Sequence, residues 1–172
     1  MKPQARAPLK PLAEALAELL AQAAPLAGTD TVNTFDADGR VLAQAATSPL
    51  QVPPTDHSSM DGYAVRCAGV PAAGVELPVA QRIPAGAFGV PLAAGTAARI
   101  FTGAPVPEGA DAIVMQEDCE ALDGDRVRVN AVPAQGQWIR RAGEDITRGA
   151  EVLAAGTRLT PAELGLAASI GL

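Results

Sequence analysis

The sequence predicts an α+β fold in which β-structure dominates. Three observations carry that prediction. Helical periodicity is confined to the two ends of the chain. Between them, short apolar runs alternate with glycine and proline turns. Aromatic residues make up only 3% of a composition that is 48% hydrophobic, so the core must be built from Ala, Val, Leu and Ile. The Gly 17 and Pro 15 are spread along all 172 residues, which marks many turns rather than a disordered tail.

Residues 8–24, "PLKPLAEALAELLAQAA", place Leu9, Leu12, Leu16, Leu19, Leu20 and Ala23 at three- and four-residue steps, which predicts a helix. Pro25 and Gly28 end it. Its apolar stripe reads as core or as contact with a partner. Residues 30–48, "DTVNTFDADGRVLAQAATS", admit two readings. One is a hairpin about "DADG". The other is a short helix capped by Asn33 or Thr34 that breaks at Gly39 into a strand. From Pro49 to about Gln137 the runs "YAVRCAGV", "VELPVAQRI", "TAARIF", "AIVMQE" and "RVRVN" read as strands of a barrel or sandwich. Residues 138–158 keep a charged strand-and-turn texture. "TPAELGLAASIGL" then opens a second helix, with Thr160 at the N-cap, Pro161 at N1 and Glu163 at N3. The pattern carries this helix to the last residue. Its apolar end has no visible cover, and a further domain is expected after Leu172.

The bulk properties exclude several classes. A net charge of −6 and a pI near 4.7 leave no basic face for nucleic acid. Two cysteines, one histidine and no Cys-x-x-Cys give neither a disulfide framework nor a structural zinc site. The opening "MKPQARAPLK" leads into an amphipathic run with Glu14 and Glu18, not an apolar one, and no stretch is long enough to span a membrane. The expectation is a cytoplasmic protein with reduced thiols.

Three stretches could carry chemistry. In "TDHSSMDGYAVR", Asp61 precedes a glycine that permits a turn with positive φ or the close approach of a ligand. The preceding serines can stiffen the loop. Such a carboxylate suits magnesium or general-base work, while the plainer reading is an Asp-Gly turn. In "FTGAPVPEGADAIV", Thr102 and Gly103 open a proline-stiffened turn whose hydroxyl and free N–H groups could cradle an anion. The alternative is a rigid turn and nothing more. In "IRRAGEDI", Arg140 and Arg141 could clamp an oxyanion, or could pair internally with Glu144 and Asp145. His57 reads as a surface loop residue. Cys67 has no electropositive setting beyond Arg66.

Taken together, "SPLQVPPTDHSSMDGYAVR", "RIFTGAPVPEGADAIVMQEDCE" and "IRRAGEDITRGAEVLAAGTRLTPAELGLAASIGL" resemble the N-terminal half of molybdopterin molybdenumtransferases, the family to which the E domain of gephyrin is similar. The resemblance covers nearly the whole chain. It implies molybdate insertion into adenylylated molybdopterin with release of AMP, and a requirement for Mg2+. It also implies an elongated homodimer whose active site is shared between subunits, and a discontinuous first domain (residues 1–52 and 138–172) into which a barrel-like β domain (53–137) is inserted. A pterin-binding domain would follow the chain, leaving the isolated chain inactive.

By position, the resemblance implies catalytic roles for Asp61 and Thr102. It implies substrate contacts from Ser59, Tyr63, Gly103, Arg140 and Arg141, and Asp61 as a metal position. Gln51, His57 and Ala142 depart from the family's usual residues, and Ala142 weakens the proposed anion clamp. The rival readings are a non-catalytic dimerisation or scaffold module, and a magnesium-dependent phosphohydrolase that would need Asp56 as a second carboxylate.

Overall fold

The computed structural model describes residues 9–24 and 28–172. It divides into two compact units, residues 1–33 and 34–172. In the first, helix α1 spans Leu12–Ala21, shorter than the expected 8–24. Pro11 precedes it without a side-chain cap, Glu14 sits in its first turn, and Lys10 pairs with Glu18. None of its residues is buried, and Leu9, Leu12, Leu16, Leu19 and Leu20 are exposed.

The second unit is mainly β. A short 3-10 turn at Thr34–Asp36 is followed by β1 (Ala46–Thr47), β2 (His57–Ser58), β3 (Gly62–Val65), β4 (Val75–Ile83), β5 (Ala97–Ile100) and β6 (Ala112–Met115). Next come β7 (Cys119–Leu122), β8 (Arg126–Val129), β9 (Ile139–Arg140), β10 (Glu151–Leu153) and helix α2 (Pro161–Ser169). The ambiguous 30–48 segment thus holds both a helical turn and a strand, separated by Gly39 at φ +75°.

Six strands form one curled sheet in the order β6-β3-β5-β4-β8-β7, antiparallel except for the β4–β5 pair. Strands β3, β5 and β6 are largely buried on both faces, and the period of two divides their side chains between two cores. Tyr63, Val65, Ala97, Ala112 and Val114 pack with Leu77, Val127 and Val129. On the opposite face, Ala64, Ala98, Ile100 and Ile113 pack with Ile83 and Leu92. Small residues on β3 and β5 let two cores share strands in a chain with few aromatics.

Strand β7 was not anticipated. It lacks the β-branched residues of its neighbours and lies at the sheet edge. It turns into β8 through Gly124 and Asp125, at φ +71° and +53°. Glu76, Arg128 and Glu120 stand directly opposite one another on β4, β8 and β7 and are ion-paired. Exposed pairs of this kind contribute little stability, but they favour this register over a slip.

The remaining strands make two small pairs, β1 with β10 and β2 with β9. Isolated bridges join Val41 to Arg158 and Val52 to Ile146. Helix α2 begins with the expected capping box, Thr160 and Glu163 bonding reciprocally behind Pro161. It stops at Ser169, ahead of Gly171 at φ +86°, rather than running to the last residue. Its apolar end is also better covered than expected. Ile170 is fully buried, and Ala167 packs with Ala37, Ala46, Leu153 and Leu159. Leu172 remains exposed.

Candidate functional site

The site is an opening in one antiparallel ladder. Gly62, Tyr63 and Ala64 of β3 pair with Ile100, Arg99 and Ala98 of β5. Toward the chain's N-terminus the same register resumes. His57 bridges Pro105, the Ser58 amide donates to the Ala104 carbonyl, and the Val106 amide donates to the Asp56 carbonyl. Between these two paired stretches lie residues 59–61 on one strand and 101–103 on the other. Ser59, Asp61, Thr102 and Gly103 all fall in the gap.

An unpaired backbone amide needs a partner. Here Asp61 supplies it. Its Oδ1 accepts the Thr102 amide at 2.8 Å and the Thr102 hydroxyl at 2.7 Å. These bonds, helped by the nearby Arg99 charge, hold the Asp61 carboxyl below the usual carboxylate range. The carboxylate is therefore held in its ionised, hydrogen-bond-accepting form. Thr102 gives its proton to Asp61, so toward a ligand its Oγ is an acceptor.

Gly62 does not form an Asp-Gly turn. It lies in β3, where a Cβ would meet the Val114 carbonyl oxygen at 2.0 Å. The glycine serves strand packing rather than ligand approach. Gly103, at φ +79°, makes the turn of the opposite loop. The expected cradle of free amides is not formed there. The amides of Thr102, Gly103 and Ala104 donate to Asp61 Oδ1, the Ser58 carbonyl and the Phe101 carbonyl. Ser58 stiffens its own loop as expected, its buried hydroxyl donating to the Met60 carbonyl at 2.6 Å.

An open cleft of about 360 Å³ adjoins the gap, lined by Pro53, His57, Ser58, Ser59, Thr102, Gly103 and Arg140. Ser59, Thr102, Gly103 and Arg140 are thus brought together. Arg140 is nonetheless tied to Asp145, whose carboxylate accepts at 2.6 and 2.5 Å. Those bonds raise its affinity for its proton further. Arg141 points to Asp56, with an Nη1–Oδ2 distance of 2.6 Å, and the Ala142 amide binds the other Asp56 oxygen. The expected internal pairing with Glu144 and Asp145 is thus observed for Arg140, whereas the Arg141 guanidinium pairs with Asp56, a partner that was not expected. Tyr63 is buried and lines a separate depression of about 180 Å³ with Arg82, Arg99 and Arg126.

Asp56, the second carboxylate that the phosphohydrolase reading needs, is engaged by Arg141 and Ala142. No group of three or more His, Cys, Asp or Glu side chains able to cage a metal occurs among the described residues. His57, set aside as a surface residue, lines the cleft, and its buried Nδ1 has no partner among the described residues. The sequence signal for it was only its place between the paired carboxylates. Both thiols are free. Burial first, with Asp111 beside Cys67 and Asp118 beside Cys119, pushes each up to about 11. No helix among the described residues is long and apolar enough to cross a membrane.

Known proteins place the chain in a family. The family described as "MoeA N-terminal region (domain I and II)" matches residues 10–171. "Molybdopterin molybdenumtransferase 2" of Mycobacterium tuberculosis is 46% identical over 164 residues, covering 91% of this chain and 39% of that protein. The molybdopterin molybdenumtransferase of Haemophilus influenzae is 40% identical over 145 residues, covering 84% of this chain and 36% of the relative. Among solved structures, the molybdopterin biosynthesis MoeA protein of Pyrococcus horikoshii OT3 superposes with a TM-score of 0.88 at 35% identity, over 95% of this chain and 44% of that one. The chain spans less than half the length of each of these relatives. It belongs to the family of MoeA N-terminal regions, domains I and II of that protein.

Proposed function

We propose that this chain is the N-terminal portion of a molybdenum cofactor biosynthesis enzyme that inserts molybdate into adenylylated molybdopterin with release of AMP. The observation that carries the reading is the Asp61–Thr102 pair, fixed in a ladder opening beside a cleft. The names of the relatives support the substrate class.

In this reading the pair presents an ionised carboxylate and an acceptor hydroxyl to the substrate. It orients donors, such as an attacking water or the N–H groups of a pterin. Asp61 Oδ2 has no partner among the described residues. The carboxylate therefore fits a magnesium ion that takes its other ligands from water and substrate phosphates. Bound there, magnesium would neutralise charge on the adenylate. Ser59, Gly103 and Arg140 shape the cleft wall, and Arg141 holds the loop through Asp56.

The cleft is too open to bury a pterin adenylate alone, because ligand pockets enclose most of their ligand. The rest of the pocket is assigned to domains beyond this chain, contributed in a homodimer by the other subunit. A discontinuous first domain, with a barrel-like domain inserted, fits the pairing of β1 with β10 and the bridges from Val41 and Val52.

The test is a chimaera in which this chain replaces the N-terminal region of the Mycobacterium tuberculosis relative. It is expected to release AMP from adenylylated molybdopterin when molybdate and magnesium are supplied, whereas the chain alone does not. Asp61→Asn should lower turnover on the order of 10²-fold without lowering the melting temperature. A fully active Asp61→Asn chimaera refutes the role.

A further inference from the structure

We infer that Arg99 is the positioning residue that locks the two loops of the site together, and this rests on the role given above to Asp61 and Thr102. Arg99 lies outside the cleft, yet its guanidinium touches both loops. Nη1 donates to the carbonyl of Gly62, next to Asp61, at 2.8 Å. Nη2 donates to Gln116 Oε1 at 2.6 Å. The backbone amide of Gln116 in turn donates to the Asp61 carbonyl at 3.0 Å. One planar group therefore fixes two successive carbonyls, that of Gly62 directly and that of Asp61 through Gln116.

The same guanidinium packs on a ring of the other loop, Phe101, and on the β3 ring of Tyr63. It sits 4.5 Å from the centroid of Phe101, the residue before Thr102, and 5.2 Å from that of Tyr63. Arg82 packs on Phe101 as well, at 4.4 Å. Arg82 and Arg99 are direct neighbours across β4 and β5. Like charges placed so are normally destabilising, and neither makes a direct ion pair with an acidic side chain among the described residues. The Phe101 face attracts both cations, which fixes the ring and with it the approach of Thr102 to Asp61. A fork of donors with a flat stacking face is what this requires. Lysine, a single point charge, offers neither.

The test measures the Thr102 amide directly. In this chain, hydrogen exchange at Thr102 reports its bond to Asp61, and exchange at Val127 and Val129 reports the sheet far from the site. Arg99→Met and Arg99→Lys are both expected to speed Thr102 exchange on the order of 10-fold, the loss of about one hydrogen bond, with Val127 and Val129 unchanged. Gln116→Ala alters only an exposed side chain and should give a smaller change in the same direction, so the inference can be judged even if the Arg99 variants fold poorly. In the chimaera, Arg99→Lys should lower kcat at least 10-fold with KM within about 2-fold, as misplacement of a reacting group does.

Wild-type Thr102 exchange in Arg99→Lys and Gln116→Ala overturns the inference whatever the activity. An active Asp61→Asn chimaera overturns only the function proposed above, because the exchange measurement does not depend on turnover.

Discussion

Replacing Gly62 with alanine tests whether the β3–β6 pairing sets the site. The new Cβ would lie 2.0 Å from the Val114 carbonyl oxygen, 2.9 Å from its carbon and 3.1 Å from the Met115 Cα. Ordinary contact begins at 3.4 Å, so strand and neighbour must part by roughly 1.4 Å. The obstacle is backbone and cannot swing aside as a side chain would. Overpacking costs about 1–3 kcal/mol. Loosening one or two ladder bonds adds about 1 kcal/mol each. The sum, about 2–5 kcal/mol, corresponds to a fall of roughly 5–15 °C in the melting temperature of a domain this size. The assay is thermal unfolding followed by circular dichroism. Gly165→Ala is the control. It lies inside α2 with nothing within 4 Å of a new Cβ, and helix propensity alone should stabilise it by up to about 1 kcal/mol. If Gly62→Ala melts within about 1 °C of the wild type, β3 and β6 are not held in this register, and the geometry derived for Asp61 fails with it.

Two further outcomes follow from ionisation. Thr160, through its hydroxyl and then its amide, holds Glu163 below its ordinary value of 4.5. A depressed carboxyl stabilises the fold above its unfolded value and loses that contribution as pH falls through the folded one. Melting temperature should therefore drop below about pH 4.5, and Glu163→Gln should flatten that drop; an unchanged slope refutes the cap's role. Cys67 and Cys119, each pushed up to about 11, should react with iodoacetamide at pH 8 about 10²-fold more slowly than a free thiol with a pKa of about 8.5. Alkylation at the free-thiol rate would show that neither is shielded.

The sequence was most informative where local chemistry and tertiary structure agree. Thr160, Pro161 and Glu163 announce a helix start that the fold keeps, and the strands rich in Val and Ile stand where their runs predict. It was least informative where a residue's partner lies far along the chain. Tyr63 opens a run that reads as a strand, and the resemblance implies a substrate contact for it, yet strand alternation turns it into the core beneath Arg99. Gly62 reads as turn chemistry because Asp-Gly usually is, but its constraint is Val114, 52 residues away. The Leu stripe of α1 was legible as apolar, whereas its cover was not. Gly171 and the burial of Ile170 changed the reading of the chain's end, because a helix terminus is decided by one positive-φ residue and not by periodicity.

The site residues themselves follow from register. Asp61 and Thr102 are 41 residues apart, and no local motif joins them. Once Gly62 pairs with Ile100, however, residue 61 must stand across from residue 101, and Thr102 becomes the next amide along. Glycine at 62 permits the close approach to β6, and glycine at 103 permits the turn, so the ladder can open for three residues on each strand and close again at His57 and Pro105. A gap in a ladder leaves polar backbone groups that must be satisfied. Asp61 satisfies one with the same carboxylate that the proposed function assigns to a ligand. The proposed function therefore couples stability and activity at this residue. Asn at 61 can still accept the Thr102 amide but carries no charge, whereas Ala leaves that amide unpaired. Between those two variants, the difference in melting temperature reads the structural role and the activity shared by both losses reads the charge.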